Sequence, residues 1–121
     1  MNEIRTEKTT VMVTHRVPGF HYWPGAPPEV SYLSHRHRHM FLIIASVVVS
    51  HSNREVEFHT LQNDVRRSFR DDGHDFGSRS CEMIARELAS HLGSQGYVVS
   101  WVEAWEDGEN GSRVELAETS R

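Results

Sequence analysis

Cysteine is nearly absent from this chain. Cys81 is the only one in 121 residues, which excludes an intramolecular disulfide and a thiolate zinc knuckle. Long hydrophobic runs are missing too: the longest, Met40 to Val49, is too short to cross a bilayer as a helix. No basic segment followed by an apolar one opens the chain, so a secretory leader is not expected and a cytoplasmic location is. Nor is there an excess of positive charge. Thirteen Lys and Arg against 17 Asp and Glu leave a formal net charge of -4, which argues against a nucleic-acid binder working by bulk charge. Arg66, Arg67 and Arg70 do cluster, but acidic residues accompany them, as on a solvated helix face. Hydrophobic residues make up 37%, enough for one modest core. A single domain over residues 1–121, with its core at about 9–116 and stability gained by self-association, is expected.

Histidine, by contrast, is plentiful, with nine in the chain. His35, His37 and His39 occupy alternate positions directly before the β-branched segment that ends at Val49. Side chains two apart on a strand share a face, so His37 and His39 can converge on one point. Neutral imidazole is the commonest protein ligand for zinc and similar ions, which makes this H-x-H a candidate metal site. The competing reading is a solvated strand end rich in His and Arg.

The rest of the chain reads as two pairs of strands around two helices. Thr9 to Val17 alternates as a first strand, and Pro18-Gly19 punctuates it. A structured loop follows, in which Phe20, Tyr22 and Trp23 flank His21. The second strand runs from about His37 to Ser50, and Glu55 to Phe58 returns as an extended segment. Thr60 is the expected N-cap of a first helix whose apolar stripe is Leu61, Val65 and Phe69. Residues 71–77 read as a loop. Ser80 caps a second helix with Ile84, Leu88 and Leu92 on its apolar face, ended by Gly93 or Gly96. Tyr97 to Trp105 and Arg113 to Leu116 are strands joined by a turn at 107–111, and 117–121 is a tail.

This order of elements, with H-x-H opening the second strand, resembles the tunnelling-fold (T-fold) pterin enzymes, above all 6-pyruvoyl- and 6-carboxytetrahydropterin synthases. Those carry a first-strand histidine, H-G-H-x-[YF], D-F-x-x-L-K, a P-T-[SA]-E helix start and a V-x-V-x-E-T strand. The matching segments are His21, sixteen residues before His37; His37-Arg38-His39-Met40-Phe41; Glu57-Phe58-His59-Thr60-Leu61-Gln62; Ser80-Cys81-Glu82; and Val102-Glu103-Ala104-Trp105-Glu106-Asp107. The resemblance implies an α+β, ββααββ subunit: an antiparallel sheet with two helices on one face, assembling into a ring-like homo-oligomer, possible hexamers included.

For the site, the resemblance implies Zn²⁺ held by His21, His37 and His39, with His35 or His15 as an alternative third ligand. Glu106 would grip the ring N–H and amine of a pterin, or Glu103 in a different register, with Glu82 at the helix start beside the substrate. The family's catalytic cysteine falls at Leu33, which transfers no proton; Glu29 lies further upstream. Asp72 and His74 stand for the family's Asp-His pair at altered spacing. Cys81, in a helix first turn where the dipole favours thiolate, is either a substitute nucleophile or a small packing residue. Phe20, Tyr22 and Trp23 either wall a flat heterocycle or fill the core. The function implied is a zinc-dependent 6-carboxytetrahydropterin synthase-like lyase acting on dihydroneopterin triphosphate or a related purine-derived ring in a queuosine-type pathway. A non-catalytic T-fold protein binding a pterin, purine or nucleotide is the alternative. A cupin-type barrel, which also uses H-x-H, would need a glutamate shortly after the pair, and Met40 to Val49 holds none.

Overall fold

A computed structural model describes residues 7–117, so the N-terminal end and most of the expected C-terminal tail lie outside the described residues. In chain order the elements are β1 (Thr9–His21), a 3-10 segment (Pro28–Ser34), β2 (His37–Val49), α1 (Phe58–Arg66), β3 (His74–Gly77), α2 (Cys81–Ser94), β4 (Val99–Glu106) and β5 (Asn110–Glu115). The protein is α+β. The strands form one sheet in the order β3-β1-β2-β4-β5. All pairings are antiparallel except that of β3 with β1, so the sheet is mixed where an antiparallel one was expected. None of the described helices is long and apolar enough to cross a membrane.

The alternation of β2 decides which face is buried. Phe41, Ile43, Ala45 and Val47 are fully buried on one side, and across the pairs they meet Val13 and Val17 of β1 and Val102 and Ala104 of β4. Leu61 and Val65 of α1 and Ile84, Ala85, Leu88, Ala89 and Leu92 of α2 close the same core. Both helices therefore pack on one face of the sheet, and the histidines continue that buried face of β2 towards its N-terminal end.

Several local expectations are corrected. Pro18-Gly19 does not end β1, which continues to His21. Met40, the partner of Pro18, turns its N–H and C=O towards Asp107 on the β4 side. The missing N–H of Pro18 therefore points away from β2, where β3 has not yet begun to pair. Gly19 is needed: a Cβ there would meet Phe76 Cε2 at 2.6 Å and Phe41 Cδ2 at 3.0 Å. Glu55 to Phe58 is not a strand, since Glu57 instead caps α1, its carboxylate accepting from the Thr60 N–H at 2.8 Å. Phe69 lies beyond the end of α1 and packs on the core from there. Part of the expected 71–77 loop is the strand β3, and the 3-10 segment was not foreseen. Ser80 caps α2 as expected, accepting from Met83 N–H at 3.2 Å. Gly96, at φ +99°, ends it, with Tyr97 N–H returning to the Leu92 carbonyl at 3.2 Å.

Candidate metal centre

His21 closes β1 and His37 opens β2, and the two are direct cross-strand partners. His39 stands two residues further along the same face. One ring nitrogen from each of the three lies within 4.8 Å of the others, close enough to bind one metal ion. The rings are not free to turn. Each Nδ1 faces an acceptor outside the cluster: the Arg79 carbonyl at 3.0 Å from His21, the His35 carbonyl at 2.8 Å from His37, and the Asp107 carboxylate at 2.7 Å from His39. An acceptor there fixes the proton on Nδ1 and leaves Nε2 as the nitrogen directed inward. His39 Nε2 is buried with no hydrogen-bond partner. A buried ring nitrogen without a partner is costly, and a cation would satisfy it. The donor set fits a borderline metal such as zinc in the three-histidine form that keeps a position open.

Phe41 supports the cluster from below, edge-on to His21 and His39 with ring centroids at 5.2 and 5.6 Å. The alternatives for the third ligand are set aside by position. His35 contributes its carbonyl rather than its ring. His15 faces Ile43, well along the strand, and stacks on Phe69.

Glu106, the last residue of β4, pairs with Phe41 and so shares the histidine face. Its Oε2 lies 2.9 Å from His21 Nε2 and 3.7 Å from His39 Nε2. With its Nδ1–H on Arg79 and Nε2 on a carboxylate, the His21 ring is a donor at both ends. Its pKa is raised, chiefly by the hydrogen bond to Glu106 and against the effect of burial. The Glu106 pKa is lowered, chiefly by that same bond. Glu103 is on the other face, where it binds Trp105 Nε1 at 2.8 Å and Arg113 Nε at 2.7 Å. The register thus brings Glu106, and not Glu103, to the site.

A cavity of about 500 Å³ opens beside the cluster. His21, His37 and Glu106 line it, together with Tyr22, Trp23, Leu33, Cys81, Glu82 and Met83. Tyr22 and Trp23 are both exposed there, whereas Phe20 lies under the Arg36 guanidinium at 4.0 Å and does not line the cavity. Glu82 accepts a hydrogen bond from Ser112 at 2.9 Å. Leu33 stands in the cavity wall where the resemblance calls for a cysteine, and Glu29 does not line the cavity.

The proton-transfer candidates fare differently. The Cys81 thiol is pushed up to about 12, by burial first and then by the carboxylates of Glu106 and Glu82. These oppose the helix dipole and favour the small packing residue over the nucleophile. Asp72 is held by Arg70 through two bonds of 3.2 Å. His74 accepts the Arg70 N–H at 3.1 Å and packs against Phe69 and Phe76. It lines a second cavity, of about 470 Å³, and burial lowers its pKa. Asp72 and His74 therefore make no contact as a pair and do not line the histidine cavity. Arg38, one residue from each ligand in β2, points to the opposite face by alternation.

Asp107 is the neighbour of the site that sequence reasoning missed, since it read as the end of the Val102–Asp107 segment and the start of a turn, with no role of its own. Its signal was the Asp-Gly step after a strand, which marks a tight hairpin, but no sequence pattern tied that turn to His39.

No protein-family model and no curated protein sequence matches this chain. The fold is similar to the crystal structure of an uncharacterized protein, WS1659, from Wolinella succinogenes, with a TM-score of 0.56 and 15% identity, covering 93% of this chain and 100% of that one. At that identity the likeness shows a shared architecture alone.

Proposed function

We propose that the chain is a zinc-dependent T-fold protein of the 6-carboxytetrahydropterin synthase type, acting on dihydroneopterin triphosphate or a related purine-derived heterocycle in a 7-deazaguanine or queuosine-type pathway. The observation that carries this reading is the trio of clustered imidazoles, each fixed by an acceptor behind it, of which His21 and His37 line a cavity together with Glu106. His21, His37 and His39 would hold the ion, which supplies Lewis acidity towards side-chain hydroxyls of the substrate. Glu106 presents a carboxylate, an acceptor for two adjacent ring donors such as the N–H and amine of a pterin. Tyr22 and Trp23 would flank the plane of that ring, and Glu82 lines the same cavity.

Among the described residues, five strands with a helix layer on one side leave two sheet edges and one sheet face without a covering element. We take a ring-like homo-oligomer as the functional form. Asp72 and His74 would then serve proton transfer only if a neighbouring copy carried them to the cavity.

Leu33 in the cavity wall and the protonated Cys81 thiol favour a second reading, a T-fold protein that binds the heterocycle without turning it over. Incubation of the zinc-loaded protein with dihydroneopterin triphosphate separates the two. Release of triphosphate with a new pterin chromophore supports the enzyme. Saturable binding without release supports the binder, and neither response refutes both.

A further inference from the structure

The turn after β4 does more than reverse the chain. Asp107 and Gly108 both have positive φ, at 55° and 70°, and the Glu109 N–H returns to the Glu106 carbonyl at 2.9 Å. These are the two central residues of a tight hairpin turn of the primed kind. Asp107 grips Met40 twice: its N–H donates to the Met40 carbonyl at 2.9 Å, and its Oδ1 accepts from the Met40 N–H at 2.9 Å. The other oxygen, Oδ2, is thereby held 2.7 Å from His39 Nδ1. One carboxylate thus uses one oxygen to lock itself to the backbone of β2 and the other to meet the ring of the preceding residue.

We infer that Asp107 is a positioning residue of this site, fixing His39 as the Nδ1–H tautomer so that its Nε2 lone pair faces the cation. The inference rests on the metal reading above. The second observation is His39 Nε2 itself, buried without a hydrogen-bond partner, 3.7 Å from the Glu106 carboxylate and within reach of a cation shared with His21 and His37. A carboxylate is needed because both of its oxygens accept. An asparagine has one accepting oxygen, and the Met40 N–H, a backbone donor, cannot change its role. If the amide oxygen keeps that bond, the amide NH₂ turns to His39 Nδ1 and donates. The ring proton then moves to Nε2, where it blocks the metal.

Asparagine tolerates positive φ as well as aspartate does, so Asp107→Asn changes the hydrogen bonding and leaves the turn intact. Asp107→Gly removes the carboxylate and relieves the turn. The test compares metal-free wild type, D107N and D107G, each labelled with ¹⁵N in histidine, by long-range ¹H–¹⁵N spectra, and then measures Zn²⁺ affinity by chelator competition. In wild type, His39 should show a protonated Nδ1 and a bare Nε2. In D107N the pattern should invert, and in D107G it should become mixed. Zinc affinity should fall by about ten- to a hundredfold in both variants. An unchanged tautomer overturns the inference, even with weaker binding, because the loss would then be structural. Unchanged affinity overturns it as well. If D107N does not fold, D107G decides on the same readings. A wild type that binds no zinc refutes the metal reading itself, and the inference with it, a failure distinct from equal binding by all three proteins.

Discussion

The His21–Glu106 pair makes stability of the metal-free protein depend on pH in a definite sense. The raised His21 pKa means that the folded state holds that proton more tightly than the unfolded chain. Its contribution is complete below the unfolded histidine value and is lost as pH rises through the folded one. The lowered Glu106 pKa works from the other side: its contribution is present above the ordinary carboxylate range and is lost as pH falls through the folded value. The pair therefore stabilises most between about pH 5 and 6, with both groups charged. A hydrogen bond between charged groups contributes about 1.5–3 kcal/mol. Glu106 keeps 29% of its side chain exposed, so solvent screening brings the expected value to roughly 1–2 kcal/mol. Urea unfolding of chelator-treated wild type and Glu106→Gln, at about pH 5.5 and again at about pH 9, measures this. The variant should be less stable by that amount at the lower pH, and the gap should narrow at the higher one. A gap that stays constant, or widens as pH rises, would refute the assignment of charge to this pair.

Other consequences follow from packing and burial. Gly19→Ala places a methyl 2.6 Å from Phe76 Cε2 and 3.0 Å from Phe41 Cδ2; overpacking should cost about 1–3 kcal/mol, read as a lower midpoint in thermal unfolding, and a neutral result would mean that the aromatic wedge is slack. Ser46 Oγ is buried without a partner, so Ser46→Ala should be neutral or stabilising by up to about 1 kcal/mol in urea titrations, and a loss would reveal a hydrogen bond that this account lacks. With its thiol pushed up to about 12, Cys81 should react with iodoacetamide far more slowly near pH 8 than a small-molecule thiol does. Fast alkylation in the folded protein would restore it as a candidate nucleophile.

The strands and helices that form the core were legible because their periodicities are strong. Leu61 and Val65, and Ile84, Leu88 and Leu92, fall on the buried faces read from the sequence. The alternation that set His37 beside His39 also places Phe41 and Ile43 beneath them. What sequence could not show was decided by neighbours. Pro18 looks like a strand end, yet its missing N–H faces an edge with no partner at that position. β3 has four residues, too few for a period, and exists because Gly19 to His21 offer it a ladder. Glu57 rather than Thr60 caps α1 because its carboxylate reaches the N–H three residues on. The histidines were legible as a set, while the acceptors behind them were not: two are backbone carbonyls, and Asp107 is 68 residues from His39. Asp72 and His74, two apart in sequence, are each engaged elsewhere: Asp72 by the Arg70 guanidinium, His74 by the Arg70 N–H and the rings of Phe69 and Phe76.

The central claim is that three imidazoles bind one cation. Metal analysis of the purified protein by mass spectrometry, with His21→Ala, His37→Ala and His39→Ala alongside, tests it most directly. One equivalent of zinc in wild type, lost or sharply reduced in each variant while the fold is kept, is the predicted result. Metal retained in all three variants, or none taken up by wild type from a zinc-containing buffer, would contradict it.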